Sequence, residues 1–261
     1  MNEWTTVYYS VAAGVVASLA CGCGALPLLV PRIDIKRRMG IGYGFAGGMM
    51  IAASVYNLLQ PAFTLETEQA SRAWPVLQTL GGLFLGCSFM WLIENGLTPD
   101  RLKSGWLKRL GGRTEALLFA VMTLHSVPEG VAVGVGFASE HQLESAEGLG
   151  LYIAIAISIH NIPEGLAVAM PMRSGGASIW KCFWVATLTS LPQPIAAIPA
   201  CLAVWFFEPL MLPMLGFAAG AMMYLVIVEL IPNALETRSR TQIAWYFMIG
   251  FGLMALVQVG F

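Results

Sequence analysis

Long apolar runs follow one another along the whole chain, and short polar stretches separate them. Eight of these runs reach the length of about 20 residues that a helix needs to cross the roughly 30 Å hydrocarbon core of a bilayer. We predict spans at roughly 7–30, 42–63, 74–95, 115–138, 149–170, 179–206, 209–232 and 242–260. Because the polar connections are short, the pattern predicts an all-α polytopic membrane protein in which residues 1–261 form a single transmembrane domain.

The composition agrees with this pattern. The chain is 57% hydrophobic and 11% charged, with a mean hydropathy of +0.71, which lies outside the range of soluble domains. The first apolar run is too long for a cleaved signal peptide, and no basic residues precede it. The net charge of −1 gives no reason to expect a nucleic-acid partner. The partner that the composition predicts is the lipid bilayer.

Basic residues are concentrated on one side of the predicted bundle. They fall at 32–38, 101–113, 173–181 and 238–240, in loops that eight spans place on the same side, and Arg72 alone lies on the other side. Cytoplasmic loops of membrane proteins carry the excess of Lys and Arg. We therefore predict a multi-pass protein of the cell (inner) membrane with both termini outside the cytoplasm.

An internal repeat relates the second span to the seventh. Gly44-Phe-Ala-Gly-Gly-Met-Met opens one, and Gly216-Phe-Ala-Ala-Gly-Ala-Met-Met opens the other; the spans then end at Leu59-Gln-Pro61 and Leu230-Ile-Pro232. These two spans run in opposite directions, which is how an inverted repeat of a secondary transporter appears in sequence. We predict that spans 1–3 and 6–8 are the two halves and that spans 4 and 5 form a central antiparallel pair.

The central pair carries one short phrase twice, His125-Ser-Val-Pro-Glu129-Gly and His160-Asn-Ile-Pro-Glu164-Gly. Imidazole and carboxylate four residues apart share one helix face. Ionisable side chains inside a membrane span are costly and mark ion or proton paths. The alternative is a pair of proline-kinked helices in which His and Glu bond only each other. Since the phrase occurs twice, at similar depth on facing helices, the sequence favours a metal site between them.

The donor types restrict the ion. Imidazole nitrogen and carboxylate oxygen suit Zn²⁺, Fe²⁺, Mn²⁺, Co²⁺, Ni²⁺ and Cd²⁺, whereas the phrases offer no thiolate for Cu⁺. Ser126 and Asn161 follow the two histidines and add neutral oxygen donors. We expect a divalent metal, zinc first, as the transported substrate and no organic cofactor.

Three further residues are weaker candidates. Gln193, between two prolines in the sixth span, is either a ligand or a group that satisfies the kink. Met50 could give a thioether, although core packing is the commoner role of a methionine. Glu229 near the end of the seventh span is either an exit-path ligand or an interfacial charge. Glu94 ends the third predicted span, and we assign it no role.

The two phrases, on the fourth and fifth of eight spans, resemble the signature of the ZIP (Zrt/Irt-like) metal transporters, in particular the prokaryotic GufA-type branch. The resemblance extends over the whole chain and includes the Gly-Phe-Ala second span. It implies that His125, Glu129, His160 and Glu164 are primary ligands of a binuclear site. It also implies that the positions of Ser126, Asn161, Gln193 and Met50 contribute, and that spans 1, 4, 5 and 6 move together during alternating access.

Three positions depart from the acidic pattern of that family: Ser126 stands where many members have Asn, Asn161 where some have Asp, and Gln193 where many have Glu. Only Glu129 and Glu164 remain as anionic ligands, and two divalent ions would leave a charge of about +2 in a low-dielectric site, a costly state. We therefore predict one firmly held ion and a weak or absent second ion.

Two other expectations concern the class of protein and its assembly. An intramembrane metallo-hydrolase is the alternative to a transporter, but its His-Glu-x-x-His motif does not occur in the chain. We accordingly expect no enzyme activity. The small-residue faces of several spans would allow a homodimer.

Overall fold

The computed structural model of the chain describes residues 3–30, 35–64, 73–96, 113–143 and 146–259. Eight helical segments within these residues are long and apolar enough to cross a membrane, which confirms the predicted all-α, eight-span architecture. We call them spans 1 to 8. They cover Trp4–Leu29, Arg38–Thr64, Ala73–Gly96, Phe119–Glu140, Leu149–Ser174, Ile179–Phe206, Glu208–Leu235 and Arg240–Gln258.

Most spans are regular α-helix, and a few contain a break. The α-helices cover Glu3–Cys23, Ile35–Ala53, Gln60–Thr64, Ala73–Gly96, Arg113–Gln142, Leu149–Ser174, Ile179–Thr189, Pro192–Phe206, Met211–Leu225, Ile231–Leu235 and Arg240–Val259. Tight 3-10 turns cover Leu26–Leu29 and Glu208–Leu210. Wide π-helical turns cover Ser54–Leu59 and Val226–Leu230.

The two π-helical turns lie at matching places in spans 2 and 7. Pro61 follows the first closely and Pro232 follows the second. A proline has no N–H to donate and crowds the carbonyl four residues before it, so the preceding turn widens. The same deformation in two oppositely directed spans supports the inverted repeat that the Leu-x-Pro endings predicted.

Close helix contacts follow the same symmetry. Gly86 of span 3 lies against the carbonyl of Phe217 in span 7, and Gly250 of span 8 lies against the carbonyl of Phe45 in span 2. Phe45 and Phe217 are the repeated phenylalanines of the Gly-Phe-Ala segments. Spans 3 and 7 are therefore paired as spans 8 and 2 are, which is the pairing that a twofold relation between the two halves requires.

The interior glycines divide the spans into two groups. Glycines of spans 1, 4, 5 and 6 have their nearest neighbours in those same spans, at positions 14, 22, 24, 130, 134, 136, 150 and 165. Glycines of spans 2, 3, 7 and 8 do likewise among themselves, at positions 44, 47, 48, 82, 86, 216, 220 and 250. We call the first group the site bundle and the second group the flanking bundle. Small residues let helix backbones approach closely in a membrane, so each bundle is tightly packed.

Side-chain contacts join the two bundles near the end at which span 2 begins and span 5 ends. Gly42 of span 2 lies against the thioether end of Met170 in span 5. One residue on, the Tyr43 hydroxyl donates to the Ala167 carbonyl across 3.4 Å. Pro171, four residues after Ala167, has no N–H to give that carbonyl. The tyrosine of the flanking bundle therefore serves an acceptor that the helix of span 5 leaves free.

Exposure and charge are unevenly distributed over the bundle. In the most apolar stretch of spans 3 and 8 only 22% and 17% of residues are buried, so these two spans lie at the periphery. Arg38, Arg173, Lys181 and Arg240 lie at one end of the bundle, because alternate spans reverse direction. The basic residues at 101–109, which also enter the predicted charge asymmetry, lie outside the described residues.

Candidate metal site

The two repeated phrases face each other inside the site bundle. Pro128 lies within the helix Arg113–Gln142 and Pro163 within the helix Leu149–Ser174, and both helices continue past their prolines. His125, Glu129, His160 and Glu164 are all buried, with at most 1% of their surface exposed. The predicted antiparallel pair thus brings four ionisable side chains together in the interior.

The glycine that ends each phrase fixes its helix to a neighbouring span. Gly130 lies against the backbone of Gln193 in span 6, and Gly165 lies against the backbone of Cys21 in span 1. Any larger residue at either place would collide with main-chain atoms. Spans 6 and 1, which also contact each other, therefore pack directly against the two phrases.

Glu129 is the common partner in the cluster. Its Oε1 lies 3.1 Å from Nε2 of His160 and 3.5 Å from Nε2 of His125. One ligand atom from each of His125, Glu129 and Glu164 lies within 4.8 Å of the other two. One ion could therefore contact donors from both phrases.

Gln193 and Asn161 extend this cluster. The Gln193 amide donates to Oε2 of Glu129, and the Asn161 amide donates to Oε1 of Gln193 across 3.2 Å. Asn161 also donates to the Ala17 carbonyl of span 1 across 3.0 Å. Gln193 therefore lies beside the candidate ligands, where its role as a ligand stays a prediction, and the Ala17 carbonyl is a contributor that no sequence pattern indicated.

A break in span 6 brings Gln193 to this place. The helix Ile179–Thr189 ends before the Ser190-Leu-Pro-Gln-Pro segment, and a second helix starts at Pro192. Proline at the first position of a helix costs no hydrogen bond, because that N–H has no partner within the helix. The Gln193 N–H donates to the Ser190 carbonyl, and its side chain is completely buried.

Two residues that were predicted to contribute to the metal site make other contacts in this structure. The Ser126 hydroxyl donates to the Met122 carbonyl of its own helix across 3.1 Å. Met50 is completely buried in an apolar cluster with Tyr43, Met90 and Ala167, where the bundles meet. Neither arrangement removes the oxygen or sulfur lone pairs, so both residues stay candidates.

Several buried polar atoms of the cluster have no hydrogen-bond partner among the described residues. They are both ring nitrogens of His125, Nδ1 of His160, Oδ1 of Asn161 and Oε2 of Glu164. Buried polar groups normally have partners, and buried carboxylates are paired or coordinate metals. Two carboxylates and two imidazoles with open lone pairs form a donor set that fits a divalent transition-metal ion.

Glu229 lies apart from this cluster, in the π-helical turn of span 7. Together with Glu94, Tyr224 and Val121 it lines a cavity of about 30 Å³. The Tyr224 hydroxyl donates to Oε2 of Glu94 across 2.7 Å. We assigned no role to Glu94 from the sequence, although its position at the same end of its span as Glu229 indicated that the two carboxylates lie at a similar depth.

An eight-span bundle with a buried cluster of His and Glu in its interior is typical of a membrane transporter for divalent metal cations. The family described as ZIP Zinc transporter matches residues 109–258. The chain belongs to this family, as the repeated phrases suggested.

Curated relatives agree over most of the chain. Zinc transporter GufA of Myxococcus xanthus is 34% identical over 92% of this chain and 97% of its own length. Zinc transporter ZIP11 of Homo sapiens is 30% identical over 91% of this chain and 92% of its own length. A longer protein of Arabidopsis thaliana is 36% identical over 86% of this chain, which spans 34% of that protein.

These comparisons decide between the two classes that the sequence left open. The family and its named members are transporters, so the chain is a multi-pass membrane transporter of divalent metal cations and not a metallo-hydrolase.

Proposed function

We propose that His125, Glu129, His160 and Glu164 hold the metal ion in transit, and that the ion is zinc. The observation that carries this proposal is the convergence of the four side chains, with ligand atoms of three of them within 4.8 Å, in the buried centre of the site bundle. Zinc accepts imidazole nitrogen and carboxylate oxygen together. The names of the relatives support zinc as the substrate.

The site is built for one firmly bound ion. Glu129 and Glu164 neutralise a single divalent cation, and the nearby Ser126, Asn161 and Gln193 are neutral. A second ion would leave an uncompensated positive charge in a buried site. The neutral residues would serve as weak oxygen donors or as hydrogen-bond partners of the carboxylates.

Transport would proceed by movement of the site bundle against the flanking bundle. The ligands and their hydrogen-bond partners all belong to spans 1, 4, 5 and 6. The glycine contacts keep each bundle tightly packed, whereas flexible Met170 lies between the bundles. This division supports the prediction that spans 1, 4, 5 and 6 move together.

Zinc would enter from outside and leave toward the cytoplasm. The cations at one end of the bundle support a cytoplasmic location of that end, and hence a protein of the cell (inner) membrane with both termini outside the cytoplasm. Glu229 lies toward the same end, in a cavity to which Val121 of the site bundle also contributes. It is therefore our candidate for an exit ligand. Met50 as a contact during passage and a homodimeric assembly stay predictions.

Zinc uptake into proteoliposomes tests the transport site. The variants Glu129→Ala and Glu164→Ala should abolish uptake, because each removes one of the two charges that balance the ion. The matched control is Glu208→Ala, which removes an exposed carboxylate at the start of span 7. Normal uptake by both site variants would overturn the proposal.

A further inference from the structure

A second cavity lies on the outside of the flanking bundle, and none of the candidate metal ligands lines it. It measures about 490 Å³ and lies between spans 2, 7 and 8. Its walls are aliphatic and aromatic, with Ile51 from span 2, Ile227 and Ile231 from span 7, and Phe247 from span 8. We call this cavity the lateral groove.

The position of the lateral groove defines what can fill it. Span 8 is the least buried of the eight spans, and Ile227 is 65% exposed although it is a large hydrophobic residue. In a membrane this surface meets lipid rather than water. An apolar groove on a hydrocarbon-facing surface has a natural occupant in the acyl chain of a phospholipid.

One end of the lateral groove is charged. Arg240 lines the groove, is exposed, and starts the last helix at the end of the bundle that carries the cations. Arg38 is exposed at the same end of span 2. Basic groups beside a groove between membrane helices attract anionic headgroups, at roughly 1 kcal/mol for each Lys or Arg near the surface.

We propose that the lateral groove is a binding site for one anionic phospholipid, with an acyl chain along Ile227 and Phe247 and the phosphate at Arg240. The apolar walls accept the chain of any phospholipid, and Arg240 supplies the preference for negative charge. The site is independent of the metal ligands, so this inference does not rest on the transport mechanism proposed above.

The lateral groove shares a wall with the cavity of Glu229. Its span 7 side is the π-helical turn Val226–Leu230, which also carries Glu229. A bound acyl chain would therefore support this turn from the membrane side. Binding of a lipid would therefore influence the position of Glu229, the proposed exit residue, through the same turn.

Lipid retention by the intact purified protein tests the site. The protein is reconstituted with phosphatidylglycerol and phosphatidylcholine of identical chains, extracted in mild detergent, and measured by native mass spectrometry. We expect the wild type to retain phosphatidylglycerol about fivefold over phosphatidylcholine, which is the ratio that one cation near the surface predicts. Arg240→Gln should reduce that preference to parity, and Arg240→Lys should keep it.

Two further variants separate the groove from general surface charge. Ala244→Trp fills the groove from its exposed lining position and should reduce retention of both lipids. Lys181→Gln removes an exposed cation at the same membrane face, away from the groove, and should change nothing. An unchanged preference in Arg240→Gln, or unchanged retention in Ala244→Trp, overturns the proposal. The proposal is also overturned if the lipid-free protein is a dimer and Ala244→Trp dissociates it, because a second copy of the chain would then occupy the groove.

Discussion

The two copies of the repeated phrase are nearly identical in sequence and unlike in their contacts. Glu129 of the first copy is hydrogen-bonded to His160 and to the amide of Gln193, and its Oε1 lies 3.5 Å from Nε2 of His125. Glu164 of the second copy keeps one carboxylate oxygen without a hydrogen-bond partner among the described residues. We infer that the first carboxylate would position its neighbours in the proposed site, whereas the second has an oxygen available to an ion.

The neighbouring spans cause this difference. The first copy faces the broken segment of span 6, which offers the polar side chain of Gln193. The second copy faces span 1 at Cys21 and Ala17, and the described contact there uses the Ala17 carbonyl as an acceptor for Asn161. The two copies of the motif thus have different surroundings because the two helices packed against them carry different groups.

The sharpest test compares the two glutamates as amides of equal size. Glu129→Gln should weaken zinc binding by about 100-fold or more, because it disturbs both imidazoles as well as the ion, and loss of a supporting partner alone costs about 10–100-fold. Glu164→Gln should weaken zinc binding about 10-fold. It removes one carboxylate ligand of the ion but leaves Glu129 and its hydrogen-bond partners intact.

Competition with a chelator of known affinity measures both constants on the purified variants. Thermal unfolding in the absence of metal is the control, because it reports whether each variant is folded. Equal losses for the two glutamates would show that their different contacts have no consequence for binding.

Gln193→Glu would make the surroundings of the first copy more acidic. A third carboxylate should raise the metal-to-protein ratio from about one toward two, because it balances part of the charge of a second ion. Elemental analysis of the purified protein measures this ratio. Without metal, the variant should unfold at a lower temperature, since its new carboxylate meets that of Glu129 in place of a hydrogen bond. An unchanged ratio would mean that Gln193 does not limit the second ion.

The smallest expected effects belong to the residues after the histidines. Asn161→Ala removes two interhelical hydrogen bonds, each worth about 1 kcal/mol. Because one of them holds the side chain of Gln193 in place, its loss should reduce zinc affinity several-fold. Ser126→Ala should change affinity less than about twofold, because the hydroxyl is bonded within its own helix. The same chelator competition measures both, and a larger loss for Ser126→Ala would identify that hydroxyl as a direct ligand.

Much of the fold followed from apolar run length, because eight bilayer-long segments admit few other architectures. The facing phrases and the repeat between spans 2 and 7 also followed from spacing alone. The role of Gln193 did not, because the direction of its side chain depends on where span 6 breaks. The cavity of Glu94 and Tyr224 depends on the pairing of spans 3 and 7, which no local pattern determines.

The bond from Tyr43 to Ala167 has a consequence for the rate of transport and for water. If the bundles move as proposed, this bond must break in every cycle, and its loss contributes about 1 kcal/mol, roughly a fivefold factor, to the barrier. Pro171 ensures that the helix itself cannot supply the missing donor. A water molecule must then reach Ala167 when the bundles part, so turnover should slow when osmolytes lower the activity of water.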